Sequence, residues 1–314
     1  MSLEAPQFIF CFLDGVGLGE RQPGNPFAAK AVMPFLTALL GCQLVADAQV
    51  EQSNLLLKPI DACLGIPGLP QSATGQTALY TGCNASQFLG RHLSAFPGGS
   101  LRSLIAASGL FKQVQALGGK VAHANLYSTA YFEAIAQRRL RYSVGTLLSL
   151  TAKVPFRLQP AYERGEAIFW DITGDLALQR GITAPAISPQ EAGRRLALLG
   201  GQHQVTLFEC YLTDFAGHGQ DWQQALQVLQ RVDTFLAGLV ETLPANVTLV
   251  LSSDHGNLED LGTKRHTLNP VPLLVVGNQA KAFSEVQAIT DITPQMVSLI
   301  QRSQLAKAAA SRLR

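Results

Sequence analysis

Six side chains of this 314-residue sequence combine carboxylate and imidazole at spacings that could hold a divalent cation. Asp214-Phe-Ala-Gly-His218 sets an acid and an imidazole four residues apart. Asp254-His255 places two adjacent ligands directly after an apolar run, with Gly256 allowing a tight turn. His266 lies in Lys264-Arg-His-Thr-Leu-Asn-Pro270, and Asp14 follows the first apolar run. Each piece alone is commonly structural, but a carboxylate at the end of a buried strand is costly unless paired or ligating, and here several coincide. Mixed His and carboxylate ligands suit Zn or Mn better than Ca, which favours oxygen-only sites. A nucleophile is offered by Ser72-Ala-Thr74-Gly75-Gln76-Thr77, where hydroxyls stand at the start of an expected helix whose N-terminus favours negative charge. By residue type, Ser72 and Thr74 both qualify, and either could equally be an ordinary N-cap.

These groups need a scaffold that gathers them. Phe8–Leu13, Val205–Leu212, Val247–Leu251 and Val271–Val276 are short continuous apolar runs, the pattern of parallel strands buried on both faces. Asp14, Asp214 and Asp254-His255 fall at or just past the ends of the first three, where open α/β sheets gather ligands. Ala225, Leu229, Val232, Leu236 and Leu239 recur at helical spacing, predicting an amphipathic helix. Thr293-Pro294 reads as an N-cap followed by proline at the first helical position, and Gln304–Arg314 as a short basic helix. Alternating strands and helices predict an α/β fold with a mostly parallel sheet flanked by helices. The run Asp14-Gly-Val-Gly17-Leu-Gly19 is not a dinucleotide fingerprint: Glu20 stands where its third glycine belongs, and the acid precedes the glycines. These glycines are expected to clear backbone around a carboxylate ligand.

Breaker clusters at Phe96-Pro-Gly-Gly-Ser100 and Thr183–Pro189 bound a different middle. Residues 96–195 carry 12 Lys/Arg against 6 Asp/Glu, while the rest of the chain has a surplus of acids. This predicts a discontinuous catalytic core, 1–95 and 196–314, with an inserted smaller cap domain at 96–195. Within it Gln137-Arg138-Arg139-Leu-Arg141, and before it Arg91, are candidate phosphate anchors, since arginine binds phosphate bidentately.

A net charge of +2 argues against nucleic acid as a partner, and a chain 47% apolar and 15% charged can build a large core. Mean hydropathy is +0.16, yet no apolar run approaches the roughly 18 residues of a spanning helix, so no membrane partner is expected. Five cysteines without a CxxC pair and a start with no signal-peptide pattern predict reduced thiols and a cytoplasmic location. Nothing in the pattern bears on oligomeric state.

In order along the chain, Asp14-Gly-Val-Gly, Ser72-x-Thr-Gly, Asp214-x-x-Gly-His218, Asp254-His255-Gly-Asn257 and His266-Thr-x-Asn269-Pro-Val-Pro272 resemble the alkaline phosphatase superfamily. Within it they are most similar to the branch of cofactor-independent phosphoglycerate mutases and phosphopentomutases, and Asp291-Ile-Thr-Pro294 resembles that branch's final helix. The resemblance covers the two core segments and nothing in the insert. It implies an alkaline-phosphatase-like core with two divalent ions, Mn or Zn with Mg as a further option. One would be held by Asp14, Ser72, Asp254 and His255, the other by Asp214, His218 and His266. Ser72 would be the nucleophile and would pass through a phosphoserine, with a small phosphorylated metabolite as substrate. One departure is Gln76, where both mutases tend to show His. With an insert smaller than that of the phosphoglycerate mutases, the expectation is a phosphatase or phosphodiesterase; the alternatives are a phosphomutase and a non-catalytic metal-stabilised binding protein.

Overall fold

The computed structural model describes residues 5–29 and 31–312, with the side chains of 311 and 312 left aside. Its centre is a seven-stranded sheet of β1 (Gln7–Leu13), β2 (Val50–Glu51), β3 (Leu55–Ile60), β4 (Val121–His123), β5 (Val205–Cys210), β6 (Val247–Ser252) and β7 (Val271–Val276), in the order β2-β3-β7-β6-β1-β5-β4. Strands β4, β5, β1 and β6 pair in parallel, whereas β7 is antiparallel to both β6 and β3, and β2 to β3. The sheet is therefore mixed, with β1, β3, β4, β5 and β6 running one way.

Alternation along β1 explains why its sequence is continuously apolar. Phe8, Phe10 and Phe12 join one core cluster with Tyr80, Phe283 and Met296. Ile9, Cys11 and Leu13 join the cluster on the other face, with Leu229, Val232 and Leu236 of the Trp222–Thr242 helix. Both faces are covered, so both parities must be apolar. Each of the three phenylalanines contributes about 2 kcal/mol by burial. The same helix carries the buried Asp233, whose carboxylate accepts from the backbone N–H of Phe35 and Leu36 at 2.9 and 2.8 Å. It thereby caps the Pro34–Leu40 helix, which has no side-chain cap of its own.

The structure amends several expectations. Val271–Val276 is a strand but not a parallel one; it follows β6 through a loop with no crossover helix, so the chain returns antiparallel. A continuous apolar run reports burial on both faces, not direction. Tyr211 and Leu212 lie beyond β5, and Leu212 begins the Leu212–Gly219 helix, which carries both Asp214 and His218. The last helix runs Ile289–Arg312, so Pro294 lies inside it and Thr293 is not its N-cap. Thr293 Oγ1 instead donates to the Leu79 carbonyl at 2.6 Å, and Asp291 reaches back to accept from the Gln287 and Ala288 N–H groups, as in half of a capping box. The basic tail continues this helix as far as Arg312; Leu313 and Arg314 lie outside the described residues.

Residues 96–195 contribute to two packing units. The helices Gly99–Ser108, Leu110–Ala116 and Val144–Thr151 bury Leu101, Ile105, Phe111 and Leu148 in the core beside Tyr80, and β4 pairs with β5. A separate small apolar cluster is built from Leu126, Tyr162, Ala167, Phe169, Ala177 and Ile182.

Candidate metal centre

Parallel register delivers the ligands to one edge. Leu13 pairs with Cys210 of β5, and Phe12 with Ser252 of β6, so three strands end level. Asp14 N–H donates to the Cys210 carbonyl at 2.9 Å and Val16 N–H to Ser253 Oγ at 2.9 Å, which ties the three exits together. Gly15 turns there with φ +68°, and a Cβ on it would stand 2.6 Å from Asp214 Oδ1. Only glycine meets both demands.

Two overlapping groups form at this edge. Asp14, Asp254 and His255 bring ligand atoms within 4.8 Å of one another, and so do Asp214, His255 and His266. His255 Nε2 is 3.5 Å from Asp14 Oδ1, 3.6 Å from Asp254 Oδ2 and 3.1 Å from Ser72 Oγ. Its ring stacks on that of His266 at 3.6 Å. His218 Nε2 is 3.3 Å from Asp214 Oδ2, and His266 Nε2 is 3.9 Å from Asp214 Oδ1. Thus Asp14, Ser72, Asp214, His218, Asp254, His255 and His266 converge from five separate chain segments.

The donor set fits divalent ions. His218 Nδ1 meets the Lys264 carbonyl at 2.9 Å and His266 Nδ1 the Pro70 carbonyl at 2.8 Å, which leaves each Nε2 lone pair facing Asp214. Asp14 Oδ1 and Asp254 Oδ1 are buried without a hydrogen-bond partner among the described residues. Burial, and then repulsion from Asp254 and Asp214, raise the Asp14 carboxyl well above the usual carboxylate range. Burial and the Asp214 charge push Asp254 up to about 8. Burial, and then His266, hold the His255 imidazole well below its ordinary value, and burial lowers His266. Crowded acids and neutral imidazoles are what a cation relieves.

Ser72 is the first residue of the Ser72–Thr81 helix, and Gln71 before it provides no side-chain cap, so the positive helix end faces the site. The Thr74 hydroxyl is engaged elsewhere: it donates to the Gln71 carbonyl at 3.1 Å and accepts from Leu93 N–H at 3.2 Å. Gln76 Nε2 donates to Asp254 Oδ2 at 3.2 Å.

Sequence reasoning missed the carboxylate that braces these loops. Glu259 is fully buried and accepts from Gly17 N–H at 2.9 Å, Asn257 N–H at 2.8 Å, Asn269 Nδ2 at 3.0 Å and the Thr267 hydroxyl. It ties the loop after β1 to the β6–β7 loop and holds the two ends of that loop together. The Gly17 backbone approaches Glu259 rather than a ligand, and a Cβ there would collide with Oε1. Asn257 in turn donates to Asp214 Oδ1 at 2.7 Å. The one signal for Glu259 was its place five residues after Asp254.

A cavity of about 620 Å³ opens over this edge, reaching Asp14, Ser72, Gln76 and Asp214. Arg141 lines it, as does Arg180, which sequence reasoning overlooked. Arg91, Arg138 and Arg139 are exposed and are not among its lining residues. Among the described residues no helix is long and apolar enough to cross a membrane, and all five cysteines are unpaired.

Residues 183–313 match the family model described as Metalloenzyme superfamily. The 2,3-bisphosphoglycerate-independent phosphoglycerate mutase of Yersinia pestis (strain Pestoides F) is 30% identical over 127 residues, covering 37% of this chain and 25% of that protein. The enzyme of the same description from Thiobacillus denitrificans is 29% identical over 126 residues, with the same coverage. The match thus spans about a quarter of the length of these relatives. The alkaline phosphatase from the Antarctic bacterium TAB5 superimposes with a TM-score of 0.53 at 13% identity, over 95% of this chain and 99% of that one. Leishmania mexicana phosphoglycerate mutase does so with a TM-score of 0.50 at 12% identity, over 95% and 96%. At such identity these two likenesses speak for the fold alone. Over residues 183–313 the chain is thus similar to the Metalloenzyme superfamily, and its fold as a whole is similar to that of the alkaline phosphatase and phosphoglycerate mutase structures.

Proposed function

We propose that this protein is a metal-dependent phosphoryl transferase that hydrolyses a small phosphate ester through Ser72. The observation that carries the reading is Ser72 Oγ at a helix N-terminus, 3.1 Å from His255 Nε2 and at the floor of a cavity bordered by Asp14 and Asp214. Asp14, Asp254 and His255, with Ser72, would hold one divalent ion, and Asp214, His218 and His266 another; Mn or Zn fits this mixture of nitrogen and carboxylate ligands. Such ions, when bound, neutralise phosphoryl oxygens and ease ionisation of a coordinated hydroxyl.

Ser72 Oγ attacks phosphorus, the Oγ–P bond forms, and the ester P–O bond breaks. The alcohol leaves with that electron pair and takes up the proton that serine loses. Water then attacks the phosphoserine, inorganic phosphate departs, and the serine hydroxyl is restored. The N–H groups of the first helical turn face the charge that builds on the phosphoryl oxygens.

Release to water is favoured over internal transfer by the cavity lining. A mutase must hold its dephosphorylated intermediate under cationic anchors, and the cavity offers two arginines, Arg141 and Arg180, in a lining that is otherwise largely apolar. Gln76, bonded to Asp254, also departs from the mutase pattern. The named activity of the curated relatives favours the mutase reading instead. The five unpaired thiols support a cytoplasmic setting.

The test is phosphate release from an aryl phosphomonoester by Mn- or Zn-loaded protein, beside Ser72→Ala. Hydrolysis predicts steady release that falls at least about a thousandfold in the variant. Undiminished release by Ser72→Ala overturns the nucleophile. Ser72-dependent migration of phosphate within a substrate, without net release, overturns hydrolysis in favour of the mutase.

A further inference from the structure

The cavity is larger, and much more aromatic, than a small polyol phosphate requires. Its walls include Tyr127, Trp170, Tyr211 and Phe215. Trp170 stands between two of them, its ring 6.1 Å from Tyr211 and 5.6 Å from Phe215. Phe215 directly follows the proposed ligand Asp214 and is 57% exposed. Phe96 and Leu140, each 39% exposed, line the same cavity. Three of the ten exposed large apolar side chains of the described residues therefore meet at one cavity. Singly exposed apolar groups need no explanation, but a concave group of them beside a polar centre marks a ligand surface. Arg141 and Arg180 share this lining, and neither guanidinium forms an ion pair among the described residues.

We infer that the substrate is the phosphate ester of an alcohol bearing a flat, largely apolar ring system. This rests on the phosphoryl-transfer reading above. The phosphate sits at Ser72, and the ring body lies against Trp170 and Phe215, which offer π faces and an apolar edge at little cost in side-chain entropy. Arg141 and Arg180 set positive charge in the cavity and draw in the anion. A small acidic polyol phosphate would leave these aromatic surfaces wet and gain nothing from them.

Naphthylmethyl phosphate and glycerol phosphate separate the two cases, because both release an alkyl alcohol and differ in their apolar body rather than in the class of their leaving group. For metal-loaded protein, kcat/KM should favour naphthylmethyl phosphate at least about tenfold. Phe215→Ala and Trp170→Ala should each lower that ratio about tenfold, mainly through KM. Calorimetry on metal-loaded Ser72→Ala protein should show the same preference without turnover, weakened by Phe215→Ala in that background. Ser72-dependent turnover of both esters at similar rates, or a ratio that neither aromatic substitution moves, overturns the inference and leaves the phosphoryl-transfer reading standing. If neither ester is turned over, that reading fails first, and the calorimetric preference alone decides the ligand class: present and Phe215-dependent, it upholds the class; absent, it overturns it.

Discussion

Gly75 lies so close to Asp254 that a Cβ on it would stand 2.8 Å from both the Asp254 Cβ and its carbonyl oxygen. The Ser72–Thr81 helix and the loop after β6 thus touch backbone to backbone, and this contact sets the distance from Ser72 to His255.

Gly75→Ala must force the two segments apart. The Ser72–Thr81 helix is buried along its length and has no free side to yield toward. The expected cost is about 1–3 kcal/mol of stability, together with a loss of turnover of about a hundredfold, since small misplacements of a nucleophile are amplified in rate. Denaturant unfolding and phosphate-release assays on the same preparation check this; turnover unchanged alongside lost stability would show that the contact does not position Ser72.

Glu259 accepts four hydrogen bonds from two loops and has no access to water. Glu259→Ala leaves those donors unpartnered and is expected to destabilise the protein by about 3 kcal/mol. Metal affinity should fall with it, because Asn257 and Gly17 lose the group that holds them beside Asp214 and Asp14. Urea unfolding of the metal-free variant separates the stability loss from the loss of metal.

Asp214→Ala and His266→Ala each remove one ligand from the same group while leaving Asp14, Asp254 and Ser72 intact. Each should lower bound metal by about one ion per chain after dialysis, as measured by elemental analysis, with the metal-free fold preserved. Unchanged stoichiometry in both variants would place the ion elsewhere.

The metal-free site should make stability depend on pH. Asp254, pushed up to about 8, and Asp14, also raised, keep protons in the folded state that the unfolded chain releases near pH 4. Their contribution is greatest at low pH and is lost as pH rises toward 8. His255 and His266, held low, act in the opposite sense, but only below about pH 6.5, where unfolded imidazoles charge. Between pH 6.5 and 8 the carboxyl groups stand alone, and stability should fall by up to about 1.4 kcal/mol per pH unit for each proton concerned. Saturating Mn should reverse the trend, because the ion favours the ionised acids. Thermal unfolding of chelated and loaded protein across this range checks the sign, and a chelated profile that rises with pH would contradict it.

Much of the centre is legible in the sequence. Asp14, Asp214, Asp254 and His255 end or follow runs whose continuous apolarity marks strands buried on both faces, and a parallel sheet gathers strand ends by its geometry alone. Ser72 and His266 are readable only through resemblance to known motifs, because nothing in their local pattern distinguishes a nucleophile from a cap or a ligand from a loop histidine. The direction of β7 is not legible, since an apolar run records what covers a strand and not which way the chain returns. Strand β3 escapes notice because Lys58-Pro59 interrupts its pattern, and β4 because three residues hold no periodicity.

Local sequence thus determined which residues could ligate and which elements would carry them. Glu259 as a brace, Asp233 as a cap for a helix about 200 residues away in sequence, and the aromatic cavity joining residues from 14 to 215 were decided by tertiary structure alone. The reason is physical: a carboxylate or an aromatic ring acquires its role from the groups packed around it, and those come from distant parts of the chain. Arg141 and Arg138 belong to the same basic run, yet only Arg141 lines the cavity. Spacing along a chain cannot tell two such arginines apart; the path of the backbone beneath them does.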